Sequence, residues 1–331
     1  MVNQRSAGII GMGSAVPDKV LSNLDIEKMV DTSDEWIKTM TGISERRMAE
    51  ENECTSDFAI KAANMALQRA GINPTELGMI IVATVTPDMQ FPSTACIVQD
   101  AIGAVGIPAF DLHAGCSGWV YSLACANAYI TSGMCDKVLV IGADLLTKVT
   151  NWTDRSTCIV FGDGAGAAVV SLVDEGYGFK AFDLGSDGSG AGLLKIPAGG
   201  SKTPITPEAI EKNEHKIYME GKEVFRFAVT VQGEAIERVL EKSGIHPDEI
   251  DLVVPHQANL RIIDAAVKRF DLPREKFFVN IDKYGNTSAA SIPIALDEAV
   301  QAGRISKGGN LVIVGFGAGL TWGAGAMRWA Y

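Results

Sequence analysis

Two stretches of the chain repeat each other at one fixed offset, and this repeat constrains the fold more than any other feature. Residues 71–82 read as a glycine-led turn that runs into an apolar strand, and residues 244–254 repeat the pattern 173 positions later. The apolar run 137–142 is repeated by 310–315, again 173 positions later. This period is far longer than the repeats of solenoid proteins. It predicts two similar α/β halves related by a pseudo-twofold axis, with an active site at their junction.

Composition narrows the class of protein and its partners. Of the 331 residues, 47% are hydrophobic and 21% are charged, which is ordinary for a soluble globular chain. The net charge of −11 argues against a general nucleic-acid binder, because a basic footprint is missing. The sequence has no run of about 18 consecutive apolar residues, so no transmembrane helix is predicted. The first residues lack the apolar stretch of a signal peptide, so we expect a cytoplasmic protein that is not bound to a membrane.

The cysteines predict free thiols and no metal site. Six of them are scattered through the first half, at positions 54, 96, 116, 125, 135 and 158. None forms the C-x-x-C pair that is typical of metal ligands. Free thiols are the expected state in a reducing compartment.

Both halves read as strands alternating with helices. In the first half we predict strands over 7–13, 79–84, 109–112 and 137–141, and helices over 56–70, 93–102 and 115–132. In the second half we predict helices over 224–243, 259–269 and 288–302, and strands over 252–254 and 310–314. Unbroken apolar strands are typical of buried, mostly parallel sheets. Two such sheets with small-residue helices packed between them predict a layered α/β architecture.

The domain boundary is expected near Asp174, which gives halves of 1–174 and 175–331. Residues 185–203 are rich in Gly, Ser and Pro, and we interpret them as a turn and an ordered loop at the join. The glycines of 162–166 superficially suggest a dinucleotide loop, but they do not open a βαβ unit with an acidic residue about 20 positions on. Close backbone packing is the preferred interpretation of those glycines.

Three polar residues follow predicted strands and form the candidate site. Cys116 comes after a strand and starts a predicted helix, where unpaired N–H groups and the helix dipole favour a thiolate. His256 comes after the strand 252–254, where α/β proteins place ligand-binding groups. Asn286 lies on the loop that corresponds to that of Cys116 at the offset of 173, so the pseudo-twofold axis brings the two loops together.

These residues carry a resemblance to a known family. The sequences around Cys116 (Gly-Cys-Ser-Gly), His256 (His-Gln-Ala-Asn) and Asn286 (Gly-Asn-Thr-Ser), with the glycine-rich segment 315–323, resemble β-ketoacyl-acyl-carrier-protein synthase III. Segments 34–37, 91–93 and 154–167 also match, in order along the chain. The family has the thiolase fold, a duplicated αβαβα arrangement, and initiates bacterial type II fatty-acid synthesis.

The resemblance implies a reaction and a role for each residue. An acyl-CoA primer would be transferred to Cys116, and malonyl-acyl-carrier protein would then condense with it and release CO₂ and a β-ketoacyl product. The backbone N–H groups of Cys116 and Ala318 would form the oxyanion hole, and His256 and Asn286 would donate to the enolate oxygen. No cofactor or metal is implied, since acyl-CoA is a substrate.

The resemblance also implies binding residues and an assembly. For coenzyme A these are Trp36, Arg155, Gly221 and Asn259; for the acyl pocket, Phe91 and Phe161; for the acidic carrier protein, Arg226, Arg261, Lys268 and Arg269. A homodimer is implied, in which Phe91 reaches the partner's acyl pocket. One departure is Met40, where many members have arginine, and this puts one coenzyme A contact in question.

Four functions are weighed on the sequence. A thiolase-fold acyltransferase of secondary metabolism shares the Cys/His/Asn set with fatty-acid priming, whereas a hydroxymethylglutaryl-type synthase would need an added glutamate near Cys116. A cysteine hydrolase would use His256 as general base and release free acids. A non-catalytic acyl-binding subunit would be expected to lack the nucleophile. The shape of the pocket, which selects the primer, is not readable from the sequence.

Overall fold

In the computed structural model, which describes residues 5–331, helices and strands alternate much as the sequence predicts. The strands are β1 Ser6–Ala15, β2 Val20–Ser22, β3 Glu45–Arg47, β4 Met79–Ala83, β5 Ala109–Leu112, β6 Lys137–Leu145, β7 Asp163–Val173, β8 Gly178–Ser186, β9 Leu194–Lys195, β10 Tyr218–Met219, β11 Leu252–Pro255, β12 Asn310–Gly317 and β13 Thr321–Arg328. The helices are α1 Asn23–Ile26, α2 Asp34–Thr41, α3 Thr55–Ala70, α4 Thr94–Ala101, α5 Gly118–Thr131, α6 Arg155–Cys158, α7 Pro207–Glu211, α8 Gly221–Ser243, α9 Leu260–Phe270, α10 Ile281–Tyr284 and α11 Ser291–Gln301.

Two sheets form the frame, and their strand orders correspond. The first sheet has the order β1-β7-β6-β4-β5, and the second has the order β8-β13-β12-β11. A single parallel bridge from Val253 to Phe277 stands where a fifth strand would complete the second sheet. The pairs β4–β5, β4–β6 and β11–β12 are parallel, whereas the pairs made by β1, β7, β8 and β13 are antiparallel. The expectation of mostly parallel sheets was therefore wrong, because the missed strands β7, β8 and β13 are antiparallel.

The sheets and helices form five layers. One core cluster joins α5 and α11 to the facing sides of both sheets, for example Leu123 and Leu296 to Val140 and Ile313. Helix α3 covers the outer side of the first sheet, and α8 and α9 cover that of the second. Each central strand is therefore apolar on both faces, which explains the unbroken hydrophobic runs. The predicted αβαβα arrangement is confirmed.

The segment between the sheets differs from the expectation. Strand β7 ends at Val173 and β8 already belongs to the second sheet, so the connection between the sheets is residues 174–177. Residues 185–203 lie beyond it, and Leu194 and Lys195 form β9. The glycine-rich start of β7 shows close packing: a Cβ on Gly166 would lie 2.7 Å from Cβ of Pro293.

Candidate active site

Two matching turns place the nucleophile candidate and its neighbours at the junction of the halves. A 3-10 turn, Gly115–Ser117, precedes α5, and a second one, Ser288–Ala290, precedes α11. Gly115 (φ +55°) and Ser288 (φ +51°) both have left-handed backbone, and they are 173 positions apart. The predicted helices from 115 and 288 thus begin with a tight turn that re-aims the chain, and the α-helices start at Gly118 and Ser291.

Cys116 lies where the glycine-rich segment after β12 meets the first turn. A Cβ on Gly317 would lie 2.9 Å from Cβ of Cys116 and 3.0 Å from its Sγ. A Cβ on Gly115 would lie 2.9 Å from the carbonyl oxygen of Ala318 and 3.1 Å from its nitrogen. Glycine at both positions therefore allows the two loops to approach. The structure brings Cys116 and Ala318 together, the two residues whose N–H groups the resemblance assigns to the oxyanion hole.

The thiol of Cys116 is 8% exposed, and burial raises its pKa from the ordinary 9.0 to about 12. The nearby hydroxyl of Ser288 opposes this change in pKa, and the buried carboxylate of Asp144 adds to it. A helix dipole contributes about 0.3–1 kcal/mol, which is less than one pKa unit. Burial therefore opposes the thiolate that the position of Cys116 at a helix start favours.

Two backbone donors lie beside the thiol. Within residues 5–331, the N–H of Ala318 donates to no carbonyl or side chain, and the N–H of Cys116 is directed at its own thiol. Such N–H groups suit a developing oxyanion, because they are fixed before reaction. The hydroxyl of Thr321 lies between the two loops, with its oxygen 3.0 Å from the carbonyl oxygens of both Ala114 and Ala318, which share its single proton.

His256 follows β11 and is buried between elements of the second half. Its ring lies edge-on to Phe316, with centroids 5.3 Å apart, and its Nδ1 is 2.5 Å from Oγ of Ser291. Burial lowers the pKa of His256 to about 3, so the imidazole is neutral near pH 7. Its Nε2 makes no hydrogen bond within residues 5–331, and this atom is partly accessible to solvent.

Asn286 is held by the first half although it belongs to the second. Its N–H donates to the carbonyl of Val160 at 2.9 Å, and its carbonyl accepts from Gly162 at 3.0 Å. Its side-chain Oδ1 accepts the N–H of Ser288 at 2.9 Å. The amide therefore presents Nδ2 as its free donor, and this atom is not sealed from solvent.

A cavity of about 1030 Å³ opens from Cys116. Its apolar wall includes Leu146, Phe161 and Ile217, so Phe161 lies where the acyl pocket is expected. Segment 194–200 completes the wall, although the sequence suggested only a loop there. Two histidines without an assigned role, His113 and His215, also line it. Phe91 is not among the lining residues and is 85% exposed.

The candidate coenzyme A residues divide into a stacked pair and two helix-start positions. The guanidinium of Arg155 lies 4.9 Å from the ring centroid of Trp36, so the structure brings these two together. Gly221 starts α8 and is exposed. Asn259 caps α9 by accepting the N–H of Arg261 at 2.9 Å. Its Nδ2 donates to the carbonyl of Met40, also at 2.9 Å, so both ends of this amide are already bonded.

The candidate docking residues lie on α8 and α9 but differ in how they are paired. Arg226 makes an ion pair with Glu223 at 2.9 Å, and Arg269 binds both oxygens of Glu237 at 2.8 and 2.7 Å. Arg261 stacks on Phe225, with 5.2 Å to the ring centroid. Lys268 is exposed and has no ion pair within residues 5–331, so its charge is the freest of the four.

Comparison with known proteins identifies the family. Residues 110–188 match the profile of 3-oxoacyl-acyl-carrier-protein synthase III, and residues 240–329 match that of its C-terminal region. A β-ketoacyl-acyl-carrier-protein synthase III of Caldanaerobacter subterraneus subsp. tengcongensis is 56% identical over 330 residues, which is the full length of both chains. This chain belongs to the β-ketoacyl-acyl-carrier-protein synthase III family. It is accordingly an acyltransferase, a condensing enzyme that initiates fatty-acid synthesis.

Solved structures agree with this family and with its thiolase fold. The 3-oxoacyl-acyl-carrier-protein synthase III of Aquifex aeolicus is 48% identical, with a TM-score of 0.91 over 98% of this chain and 100% of that one. The priming β-ketosynthase of the R1128 polyketide pathway is 35% identical, with a TM-score of 0.92 over 98% of this chain and 97% of that one. Within residues 5–331, no helix has the length and apolar character needed to cross a bilayer.

Some parts of the site were missed at the sequence level. Ser291 contacts His256 from the first turn of α11, but a serine in a predicted helix carries no signal of its own. The offset of 173 does align the turn 288–290 with the turn of Cys116, and this alignment is the signal that could have drawn attention to it.

Proposed function

We propose that this synthase forms an acyl-enzyme on Cys116 and condenses it with malonyl-acyl-carrier protein. In the first step, Sγ of Cys116 attacks the carbonyl carbon of an acyl-CoA, and the coenzyme A thiolate leaves with the thiol proton. The oxyanion formed during the attack accepts hydrogen bonds from the N–H groups of Cys116 and Ala318. The approach of the Ala318 loop to a buried Cys116, which places both N–H groups by the thiol, is the observation that carries the proposal.

In the second step, the malonyl thioester loses CO₂ and leaves an enolate. Its oxygen accepts hydrogen bonds from Nε2 of His256 and Nδ2 of Asn286, both of which are free to donate. The enolate carbon then attacks the acyl group, and Cys116 leaves as a thiolate that takes a proton from water. A neutral His256 suits this role, because it donates a hydrogen bond and need not accept the thiol proton.

The further assignments belong to the same proposal. Trp36 and Arg155 flank the adenine of the acyl-CoA, and Gly221 and Asn259 lie along its pantetheine arm. The carrier protein docks on the basic side chains of α8 and α9. The protein acts in the cytoplasm as a homodimer, and its steps need no cofactor or metal.

The test is a coupled assay with a cysteine control. Acetyl-CoA and malonyl-acyl-carrier protein are incubated with the wild type, with Cys116→Ala and with Cys125→Ala. We expect CO₂ and β-ketoacyl-carrier protein from the wild type and from Cys125→Ala, and neither from Cys116→Ala. Condensation by Cys116→Ala, or an acyl group found by mass on Cys125 or Cys158, contradicts the assignment.

A synthase that primes a secondary-metabolite pathway is the second candidate, supported by the likeness to the polyketide-priming enzyme. The two functions differ in the carrier protein that is accepted. Turnover with a polyketide carrier protein and none with a fatty-acid carrier protein would favour the second candidate.

A further inference from the structure

The proposed enolate site depends on which ring nitrogen of His256 carries the proton. The ring is 1% exposed, and burial keeps it neutral near pH 7. A neutral imidazole has one N–H and one bare nitrogen, so only one of its two nitrogens can donate. If the proton were on Nδ1, the nitrogen that faces the site would be an acceptor and would repel an enolate oxygen.

Ser291 is the side chain that meets the other nitrogen. It is the first residue of α11, is 2% exposed, and has its Oγ 2.5 Å from Nδ1 of His256. The same Oγ accepts the backbone N–H of Gln257 at 3.3 Å. Within residues 5–331, Nδ1 is the only acceptor in reach of the Ser291 hydroxyl proton.

The hydrogen-bond balance of this buried pair selects one tautomer. If the Ser291 hydroxyl donates to Nδ1 of His256, the buried hydroxyl proton has an acceptor and Nδ1 carries no proton of its own. If Nδ1 donated instead, the hydroxyl proton would be left without an acceptor in a buried place, which is unfavourable. The first arrangement leaves the imidazole proton on Nε2.

We propose that Ser291 is a positioning residue that fixes the tautomer of His256 by donating to Nδ1, so that Nε2–H points at the enolate oxygen. This inference rests on the proposed function for its consequence in catalysis. Its structural part, the tautomer, stands by itself. The role is that of an orienting partner, which sets the donor state of a side chain that touches substrate.

The neighbouring donor is set from the same turn, which supports the inference. The backbone N–H of Ser288 occupies Oδ1 of Asn286, and this turns Nδ2 outward. Residues 288–291 therefore fix the amide orientation of Asn286 by a backbone group and the tautomer of His256 by a side chain. If His256 and Asn286 both donate to one enolate oxygen, the tautomer of His256 and the amide orientation of Asn286 must both be fixed.

The test compares Ser291→Ala with Ser291→Thr, which keeps a hydroxyl, and with Ser122→Ala. Ser122 is a fully buried serine on α5 whose hydroxyl has no partner, so its substitution controls for the loss of a buried serine. Folding of each variant is checked by thermal unfolding. Ser291→Ala should lower kcat for condensation by about tenfold, the lower end of the loss seen when a metal-bound histidine loses its orienting partner. Acylation of Cys116 should be unchanged, and Ser291→Thr should recover part of the loss.

A spectroscopic readout separates this role from a structural one. With only four histidines in the chain, ¹⁵N-histidine labelling gives resolvable ring signals. We expect a protonated Nε2 and a bare Nδ1 at His256 in the wild type and in Ser122→Ala, and a mixture of tautomers in Ser291→Ala.

A wild type with its proton on Nδ1 overturns the inference, as does a Ser291→Ala variant that condenses at the wild-type rate. If the wild type shows the expected tautomer but no condensation with any carrier protein, the proposed function fails and the tautomer assignment stands. The two failures are therefore distinguishable.

Discussion

Cys116 and His256 depart from their ordinary pKa values for one reason, the burial of both side chains. Burial disfavours the charged form, so the pKa of the thiol rises to about 12 and that of the imidazole falls to about 3. Burial therefore favours a neutral thiol and a neutral imidazole over a thiolate–imidazolium pair. This state suits a reaction in which charge appears only on the oxyanion and on the enolate.

The first prediction concerns the alkylation of Cys116 by iodoacetamide. Since the thiolate reacts and the pKa is raised, the rate should increase about tenfold per pH unit above about pH 7 and should still be rising at about pH 10. The group that adds negative charge is Asp144, while His256 stays neutral over this range. The rate is measured by mass on the Cys116 peptide, with a free cysteine derivative as the control that levels off near its ordinary pKa. A plateau below about pH 8 would restore the thiolate that the sequence suggested.

The second prediction separates the two half-reactions. His256→Ala and Asn286→Ala each remove one donor to the enolate oxygen, so condensation should fall by about 10²–10³-fold. Acylation by the primer should change much less, because the enolate forms only in the second step. The matched control is His246→Ala, an exposed histidine that contacts Asp248. If acylation falls as far as condensation, Cys116 depends on His256 as a general base.

At the scale of the elements, the repeat in the sequence predicts that the turns before α5 and α11 correspond to each other. The offset of 173 places the loop of Asn286 against that of Cys116, and both turns have their left-handed residue at the matching position. The packing of Asn286 against Val160 and Gly162 is one result of that arrangement.

Other elements were not predictable from the sequence, for physical reasons. Strands β7 and β13 begin with alternating glycines, which weaken the strand pattern because glycine packs no side chain. Those glycines allow neighbouring elements to approach, as for Gly166 of β7, where a Cβ would lie 2.9 Å from the backbone nitrogen of Ile294. The burial of Cys116 could not be read from the sequence because it depends on how the two halves pack, whereas its position at a helix start is visible in the sequence.

The third prediction concerns carrier docking on α8 and α9. Lys268→Glu should raise KM for malonyl-acyl-carrier protein severalfold and weaken the salt dependence of that KM, because an unpaired basic side chain attracts an acidic partner. Kinetics with acyl-CoA should be nearly unchanged. The control is Lys61→Glu, an exposed lysine on α3, which packs on the other sheet. Equal effects of Lys268→Glu on both substrates would place Lys268 at the shared entrance instead.

At the scale of the whole molecule, the acyl cavity opens next to exposed apolar side chains. Met89 (49% exposed) and Ile205 (59%) line the cavity, and Phe91 (85%), two residues after Met89, does not line it. Exposed apolar clusters of this kind commonly mark an interface. The arrangement fits the proposed homodimer, in which the Phe91 that closes a cavity comes from the other chain.

The last prediction tests that arrangement through the choice of primer. Phe91→Ala should enlarge the closed cavity and shift preference toward longer or branched primers, and Phe91→Trp should shift it toward shorter ones, because one methylene is worth about 1–3 kcal/mol in such a pocket. The profile is read from the mass of acylated Cys116 with a panel of acyl-CoA primers, and the assembly from light scattering at micromolar concentration. Val105→Ala is the control, since Val105 is 79% exposed and lies away from the cavity lining. If the variants remain dimeric and their primer profile is unchanged, Phe91 does not contribute to the acyl pocket. If the wild type is monomeric, no partner chain supplies Phe91.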